Sequence, residues 1–338
     1  MASSAELNQI GEHPDGDSDI NSVIDSQLTS ALSDTGTWAK SHWEVLEMLA
    51  DYVPLGAQDD TTKVLRLFAS KLPVNGQLIL LSEIKRHQSQ PVRLRQLRDF
   101  LAQAILMPLK TCSKRKSEDI VSPVSASGSD TDRPDSLHWQ LDSSNRGSKL
   151  RRDCLRRDGG QCVVTKIFDR SWVEKNFSSQ MMPQGRIAIL ECAHIIPFSI
   201  SDFDDRRSMQ IRTKAKIWWA LWRYFPDLKG KIGPDTVNQT GNAFTMFGEV
   251  HNDFGGFDFG FEQQYGSTTK YNIRWFCGWN PAYSMFKNYP ESVEFTSTDP
   301  RVALPDPVFL DVHCRVGEIL NEFKLQRLSL ELVSHMKF

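Results

Sequence analysis

The chain has 338 residues, of which 40% are hydrophobic and 24% charged, so it has enough material for two folded domains and is not disordered throughout. Forty basic residues against 42 acidic ones give a formal net charge of −2, which excludes nucleic-acid binding through bulk charge and would require a local basic patch. No segment approaches the roughly 20 apolar residues of a membrane span, and the polar, acidic start of the chain is unlike a signal peptide. We therefore expect an intracellular protein that does not bind membranes, with no preference between nucleus and cytoplasm.

The amino-terminal half of the sequence alternates between polar and apolar stretches. Residues 1–36 are rich in Ser, Asp and Asn and are predicted to be a disordered tail. Apolar residues at three- to four-residue spacing over 37–109 predict a small helical region. This region contains no catalytic pattern, so we interpret it as a packing unit or as a binding site for a protein partner. Residues 110–147, dominated by Ser, Asp and Pro, are predicted to be a disordered linker.

Residues 148–330 are predicted to fold as one α+β domain. It opens with a basic helix whose cationic residues are Lys149, Arg151, Arg152, Arg156 and Arg157. The predicted elements that follow are a brief strand at 161–165, an apolar strand at 187–196, a Trp-rich helix near 214–225, a strand at 269–277 and an amphipathic helix over 309–323.

Three short segments of this domain place polar residues in apolar surroundings. The first, at 191–197, has a histidine at the end of the apolar strand and before a proline turn. The second, at 238–243, is an Asn- and Gly-containing turn, and the third, at 249–254, contains a second histidine. Taken singly each segment is a weak signal, because an isolated histidine is more often structural. Their order along the chain is more informative.

These segments resemble the HNH endonuclease domain. The match consists of Cys-Val-Val-Thr after the basic helix, then Ala-His-Ile-Ile-Pro-Phe-Ser, then Gly-Asn-Ala-Phe and then His251. More narrowly, the pattern is similar to HNH-nuclease-domain proteins of filamentous fungi. The resemblance covers roughly residues 148–265 and does not reach the amino-terminal half of the chain.

The resemblance implies a ββα-metal core, in which two antiparallel strands and a helix hold one divalent cation, Mg²⁺ or Mn²⁺. His194 would be the general base, Asn242 would fix the loop between the strands, and His251 would ligate the metal. An imidazole suits the first role because its pKa lies near neutrality, and a divalent ion stabilises the charge on a leaving oxygen. The basic helix would contact the phosphates of nucleic acid, DNA in the first place, without reading its sequence.

Two features depart from the family pattern. The position before His194, which often carries a metal ligand, is Ala193, so Glu191 or Asp253 would have to supply that ligand. Forty-seven residues separate His194 from Asn242, so the Trp-rich helix would be an insertion between the strands.

The sequence leaves two functional hypotheses open. One is a metal-dependent nuclease that hydrolyses phosphodiester bonds, and the other is a catalytically silent module of the same fold that binds protein or nucleic acid.

Overall fold

The computed structural model describes residues 13–14, 43–113, 149–200, 208–276 and 290–335. The chain divides into two compact units. The first combines Met1–Lys110 with Ser199–Pro234 and Arg315–Phe338, and the second combines Thr111–Phe198 with Asp235–Cys314. The predicted disorder of 1–36 and 110–147 falls almost entirely outside the described residues. No helix within the described ranges combines the length and the apolar composition that a membrane crossing requires.

Short strands and longer helices alternate along the described chain, which confirms the predicted α+β class. The helices are α1 (43–48), α2 (Thr61–Lys71), α3 (Val74–Arg86), α4 (Pro91–Leu101), a π-helical turn (Ala102–Leu106), α5 (Met107–Ser113), α6 (149–157), α7 (Arg170–Asn176), α8 (Ser208–Tyr224), α9 (Gly248–Gly255) and α10 (Pro307–His335). The strands are β1 (Phe168–Asp169), β2 (Ile187–Ala188), β3 (Leu190–His194), β4 (Ala243–Phe247), β5 (Phe259–Gln263), β6 (Lys270–Trp275) and β7 (Ser292–Glu294). Three-residue 3₁₀ turns lie at Phe198–Ile200, Pro226–Leu228 and Thr240–Asn242.

The first unit is helical, as the spacing of apolar residues predicts. Pro73 stands before the first residue of α3, and Pro91 opens α4, where the missing proline N–H costs no helical hydrogen bond. Helix α8, which the sequence analysis assigned to the domain 148–330, belongs to this unit and packs on α3. It contributes buried side chains that include Trp218, Leu221 and Tyr224. Trp218 therefore packs in a helical core.

Gly76 on α3 allows the backbones of α3 and α8 to come into direct contact. A Cβ atom built at Gly76 would overlap the carbonyl oxygen of Tyr224, at a separation far shorter than any van der Waals contact. The obstacle is backbone rather than a movable side chain, so it cannot move aside without shifting a helix. The packing of these two helices therefore requires glycine at position 76.

We expect Gly76→Ala to destabilise the first unit, although alanine is the better helix former by about 1 kcal/mol. Overpacking typically costs on the order of 1–3 kcal/mol, and the overlap at Gly76 is severe. Gly56→Ala is the matched control, because no atom lies within 4 Å of the added Cβ. Urea denaturation followed by circular dichroism measures both variants, and equal midpoints for the two would contradict the close helix approach.

The second unit contains three small sheets. Strands β1 and β2 are parallel, β3 and β4 form an antiparallel pair, and β5, β6 and β7 form an antiparallel sheet. The prediction of one strand over 187–196 is wrong, because β2 and β3 are separate strands with different partners. Apolar residues continue from β2 into β3, but Ile189 between them is 66% exposed and belongs to neither strand. The predicted strand at 161–165 is a turn with a single bridge between Gln161 and Phe168.

An aromatic cluster forms the core beneath β4 and α9. The ring of Phe254 on α9 lies 5.2 Å from that of Phe244 on β4 and 5.5 Å from that of Phe261 on β5. On its other side it stacks on His313 of α10 at 3.8 Å. Burial lowers the pKa of His313 to about 3, so this ring packs as a neutral group, as expected of a structural histidine. The cluster fixes α9 against the strands that precede it.

Candidate active site

The antiparallel pair β3–β4 and the helix α9 bring together the polar segments that the sequence separates. His194, the last residue of β3, is paired with Ala243, the first residue of β4. Strand β4 leads directly into α9, because Phe247 keeps an extended backbone and Gly248 is already helical. Helix α9 packs on both strands. His251, on its second turn, therefore returns toward β3.

Glu191 on β3 and His251 on α9 are in direct contact. Nδ1 of His251 donates a hydrogen bond to Oε2 of Glu191 at 2.6 Å, and the two side chains are 31% and 34% exposed, in the order His251 and Glu191. This hydrogen bond is the main cause that lowers the pKa of Glu191 below its usual value, so the carboxylate is anionic at neutral pH. Since Oε2 of Glu191 and Nδ1 of His251 bond to each other, the donor atoms that the pair offers to a ligand are Oε1 of Glu191 and Nε2 of His251.

His194 has a different environment. Its Nε2 lies 2.8 Å from Oδ1 of Asn238, and its ring lies beside Phe198, with the centroids 5.8 Å apart. Burial is the main cause that lowers the pKa of His194 to about 4, and the charge of His251 acts in the same direction. The ring is therefore neutral at pH 7. Because Asn238 accepts from Nε2–H, the lone pair lies on Nδ1.

Asn238 is a site residue to which sequence reasoning gave no role. It stands in the turn segment 238–243, but its spacing does not distinguish it from Asn242. The one local indication of its role is the turn, which brings the chain back to the end of β3, where His194 lies. Its contact with His194 joins positions 44 residues apart, and such a pairing depends on the tertiary fold.

Asn242 is fully buried and ties the two ends of the connection between β3 and β4. Its Oδ1 accepts a hydrogen bond from the backbone N–H of Ile196 at 2.8 Å. Its Nδ2 donates to the carbonyl oxygens of Ile196 and Val237, both at 2.9 Å. Val237 precedes Asn238, so the side chain of Asn242 fixes the backbone on both sides of the His194–Asn238 contact.

Arg157 is buried, a position that its residue type does not predict. Its side chain is fully buried, and its guanidinium donates to the carbonyl oxygens of Thr240, Ala303 and Ala243 at 2.8, 3.0 and 2.9 Å. It also forms an ion pair with Asp158 at 2.7 Å. The structure therefore gives Arg157 a structural place, contrary to the predicted phosphate contact, because a buried guanidinium with these partners is not available to a ligand.

The other cations of α6 divide into two groups. Arg151 donates to Oδ2 of Asp169 at 2.9 Å and to the carbonyl oxygen of Leu190 at 3.1 Å, and so ties α6 to the first residue of β3. Lys149, Arg152 and Arg156 are exposed and, being three and four residues apart, share one side of the helix. Arg156 also pairs with Asp153 and Asp299. We name Lys149, Arg152 and Arg156 the basic face.

The residues at the site fit a divalent ion that takes most of its ligands from outside the protein. Ala193, at the position that often carries a ligand in the family, is fully buried and offers none. Among the described residues, no three His, Cys, Asp or Glu side chains are grouped to hold a metal. Mg²⁺, however, is commonly held by one or two carboxylates, with water and substrate phosphate completing the shell. Glu191 with His251 supplies a donor set of that limited kind.

Comparison with known proteins agrees with the geometry. Residues 162–262 match the family model described as HNH endonuclease, and this stretch contains β3, β4 and α9. The chain therefore carries an HNH endonuclease domain at these residues, which confirms the family that the sequence motifs indicate. Neither the curated proteins nor the solved structures gave a match. The narrower resemblance to fungal proteins stays a prediction.

Proposed function

We propose that this chain is a metal-dependent nuclease that hydrolyses phosphodiester bonds in nucleic acid, with His194 as the general base. The observation that carries the proposal is a buried, neutral histidine on the same strand as the carboxylate of a carboxylate–imidazole pair. A neutral imidazole with a free Nδ1 lies near a carboxylate–imidazole pair, on the two strands and the helix of an HNH endonuclease domain. Hydrolysis needs a proton acceptor and a cationic centre close to each other.

In this proposal each group has one task. Nδ1 of His194 accepts a proton from the attacking water, while Asn238 holds Nε2–H and thereby keeps the ring in the required tautomer. Glu191 and His251 hold a divalent ion, Mg²⁺ or Mn²⁺, which supplies electrostatic stabilisation of the leaving oxygen when it is bound. Asn242 maintains the loop geometry. The proposed core is thus of the ββα-metal kind, with Glu191 in place of a ligand at Ala193.

The substrate in this proposal is nucleic acid, DNA in the first place, held through its backbone. The exposed basic face supports phosphate contacts, which position a duplex without reading its sequence. Within the basic face, Lys149 and Arg152 carry this role. Arg156, like Arg151, is already paired with aspartate, and Arg157 is buried. Residues 37–109 stay the candidate region for a protein partner.

One observation favours a second candidate function, a catalytically silent module that binds protein or nucleic acid. In the described part of the second unit no three His, Cys, Asp or Glu side chains are grouped to hold a metal, and the methyl group of Ala193 cannot replace a ligand. A chain of this kind would keep the HNH fold and the basic face without turnover. Activity measurements separate the two functions directly.

We expect the purified chain to nick supercoiled plasmid DNA with Mg²⁺ or Mn²⁺ and to lose this activity in EDTA. Because the base is removed while the proposed metal donors stay, His194→Ala should lower turnover by about 10²–10⁴. Circular dichroism melting of the variant controls for folding. Absence of cleavage by the folded parent chain with several divalent ions, on DNA and on RNA, would favour the silent module.

We expect the ring of His194 to titrate with a pKa of about 4, well below the value near 6.5 of an unperturbed imidazole. Since the folded-state pKa lies below the unfolded value, the unfolded chain binds more protons between these two pH values, and the contribution of His194 to stability is lost as pH falls through this window. Proton NMR of the metal-free chain, with His194→Gln to assign the signal, measures the midpoint. A midpoint near the unperturbed value would contradict the buried, neutral base.

The basic face and Arg157 should respond in opposite ways to the same substitution. Arg152→Gln should keep the free energy of unfolding and reduce the log–log salt slope of DNA binding by about 0.9 for each phosphate that the variant no longer binds. Arg157→Gln should lower the free energy of unfolding by about 3–5 kcal/mol, because it removes the buried cation that pairs with Asp158 and donates to three backbone carbonyl oxygens. Urea denaturation and fluorescence anisotropy at several salt concentrations measure the two quantities. An unchanged salt slope in Arg152→Gln would show that the basic face is only solvated.

A further inference from the structure

His13 inserts its side chain into the helical first unit. The residue is only 2% exposed. Its ring lies against Phe100 and Trp219, with centroid distances of 5.0 and 5.2 Å. Its Nε2 lies 3.2 Å from the hydroxyl oxygen of Tyr224 and 3.6 Å from Oε1 of Glu83. We name Glu83, Phe100, Trp219 and Tyr224 the imidazole pocket.

The floor of the imidazole pocket selects a hydrogen-bond donor. The hydroxyl group of Tyr224 donates to Oε2 of Glu83 at 2.7 Å, and Nε of Arg223 donates to Oε1 at 2.6 Å. Because the hydroxyl hydrogen of Tyr224 is used in this way, its oxygen is left to accept from an N–H group of the occupant. Burial alone would raise the pKa of Glu83, but the nearby imidazole of His13, the charge of Arg223 and the hydrogen bond from Tyr224 outweigh it and hold this pKa below its usual value.

The residue after His13 makes a separate contact at the rim of the pocket. Proline has no backbone N–H, so its carbonyl oxygen is the only polar backbone group that Pro14 offers. Nη1 of Arg93, an exposed residue on α4, donates to this oxygen at 3.0 Å. The side chain of His13 is thus buried in the pocket, whereas the backbone of Pro14 is bound by the exposed guanidinium of Arg93.

We propose that the imidazole pocket is a peptide-recognition site for histidine followed by proline, and that His13–Pro14 of the same chain occupies it in cis. Aromatic walls with a few convergent polar groups are typical of ligand sites. An apolar side chain in place of the imidazole would fill the volume but would leave the hydroxyl oxygen of Tyr224 without a donor. Because the occupant is covalently part of the chain, its effective concentration at the pocket is on the order of millimolar. The chain's own segment therefore excludes a free peptide of modest affinity.

The full chain with His13→Ala tests this proposal. A fluorescent peptide with the sequence of residues 11–16, Gly-Glu-His-Pro-Asp-Gly, should bind this variant saturably in an anisotropy titration. It should bind the parent chain at least about 10-fold more weakly, because the pocket is filled in cis. The matched control peptide carries Ala in place of His and should bind neither chain. No saturable binding to His13→Ala, or equal binding of the control peptide, would overturn the proposal.

A surface variant keeps the proposal testable if His13→Ala does not fold. Arg93→Ala removes the contact with Pro14 from an exposed position and should speed amide hydrogen exchange in the segment that contains His13. Lys85→Ala, on exposed α3 surface, is the matched control and should leave that exchange unchanged. Equal exchange in parent, Arg93→Ala and Lys85→Ala would overturn the assignment. A dimer of the parent in size-exclusion chromatography that His13→Ala abolishes would also overturn it, since a second copy would then fill the pocket.

Discussion

The hydrogen bond between Glu191 and His251 is the interaction on which the candidate site depends. It joins β3 to α9 through two residues that lie 60 positions apart in the sequence. It also places a carboxylate oxygen and an imidazole nitrogen 2.6 Å apart while both side chains stay partly exposed. The aromatic cluster around Phe254 holds α9 in the position that permits this contact. Without the strand pair and this cluster, the same residues would be isolated polar groups.

The two histidines of the site have different electrostatic environments, and this difference gives the site its chemical character. His251 is paired with an anionic partner, whereas His194 is desolvated and pairs with the neutral amide of Asn238. Burial lowers the pKa of His194, whereas at the other contact the hydrogen bond from His251 lowers the pKa of Glu191. Asn242 supports the arrangement through the backbone, since its amide joins Ile196 to Val237 beside the contact between His194 and Asn238.

Much of this site was predictable because its signals are local. His194 ends an apolar strand before a proline turn, and Asn242 and His251 lie in short segments that follow in a recognisable order. The contact of Asn238 with His194 and the burial of Arg157 were not predictable. The carbonyl partners of Arg157 at positions 240, 243 and 303 are far from it in sequence, and its residue type favours the surface. Likewise, α8 was predictable as a helix from its apolar spacing, but nothing local indicated that it packs on α3 through Gly76.

Isothermal titration of the metal-free chain with Mn²⁺ tests the central claim most directly. The account predicts one binding event in the parent chain, at least about 10-fold weaker binding in both Glu191→Gln and His251→Ala, and parent-like binding in His194→Ala. This pattern follows because the first two variants lack a proposed ligand atom, whereas His194 is assigned the proton transfer. Binding that is equal in all four proteins would contradict a metal site at Glu191 and His251, and loss of binding in His194→Ala alone would reverse the roles of the two histidines.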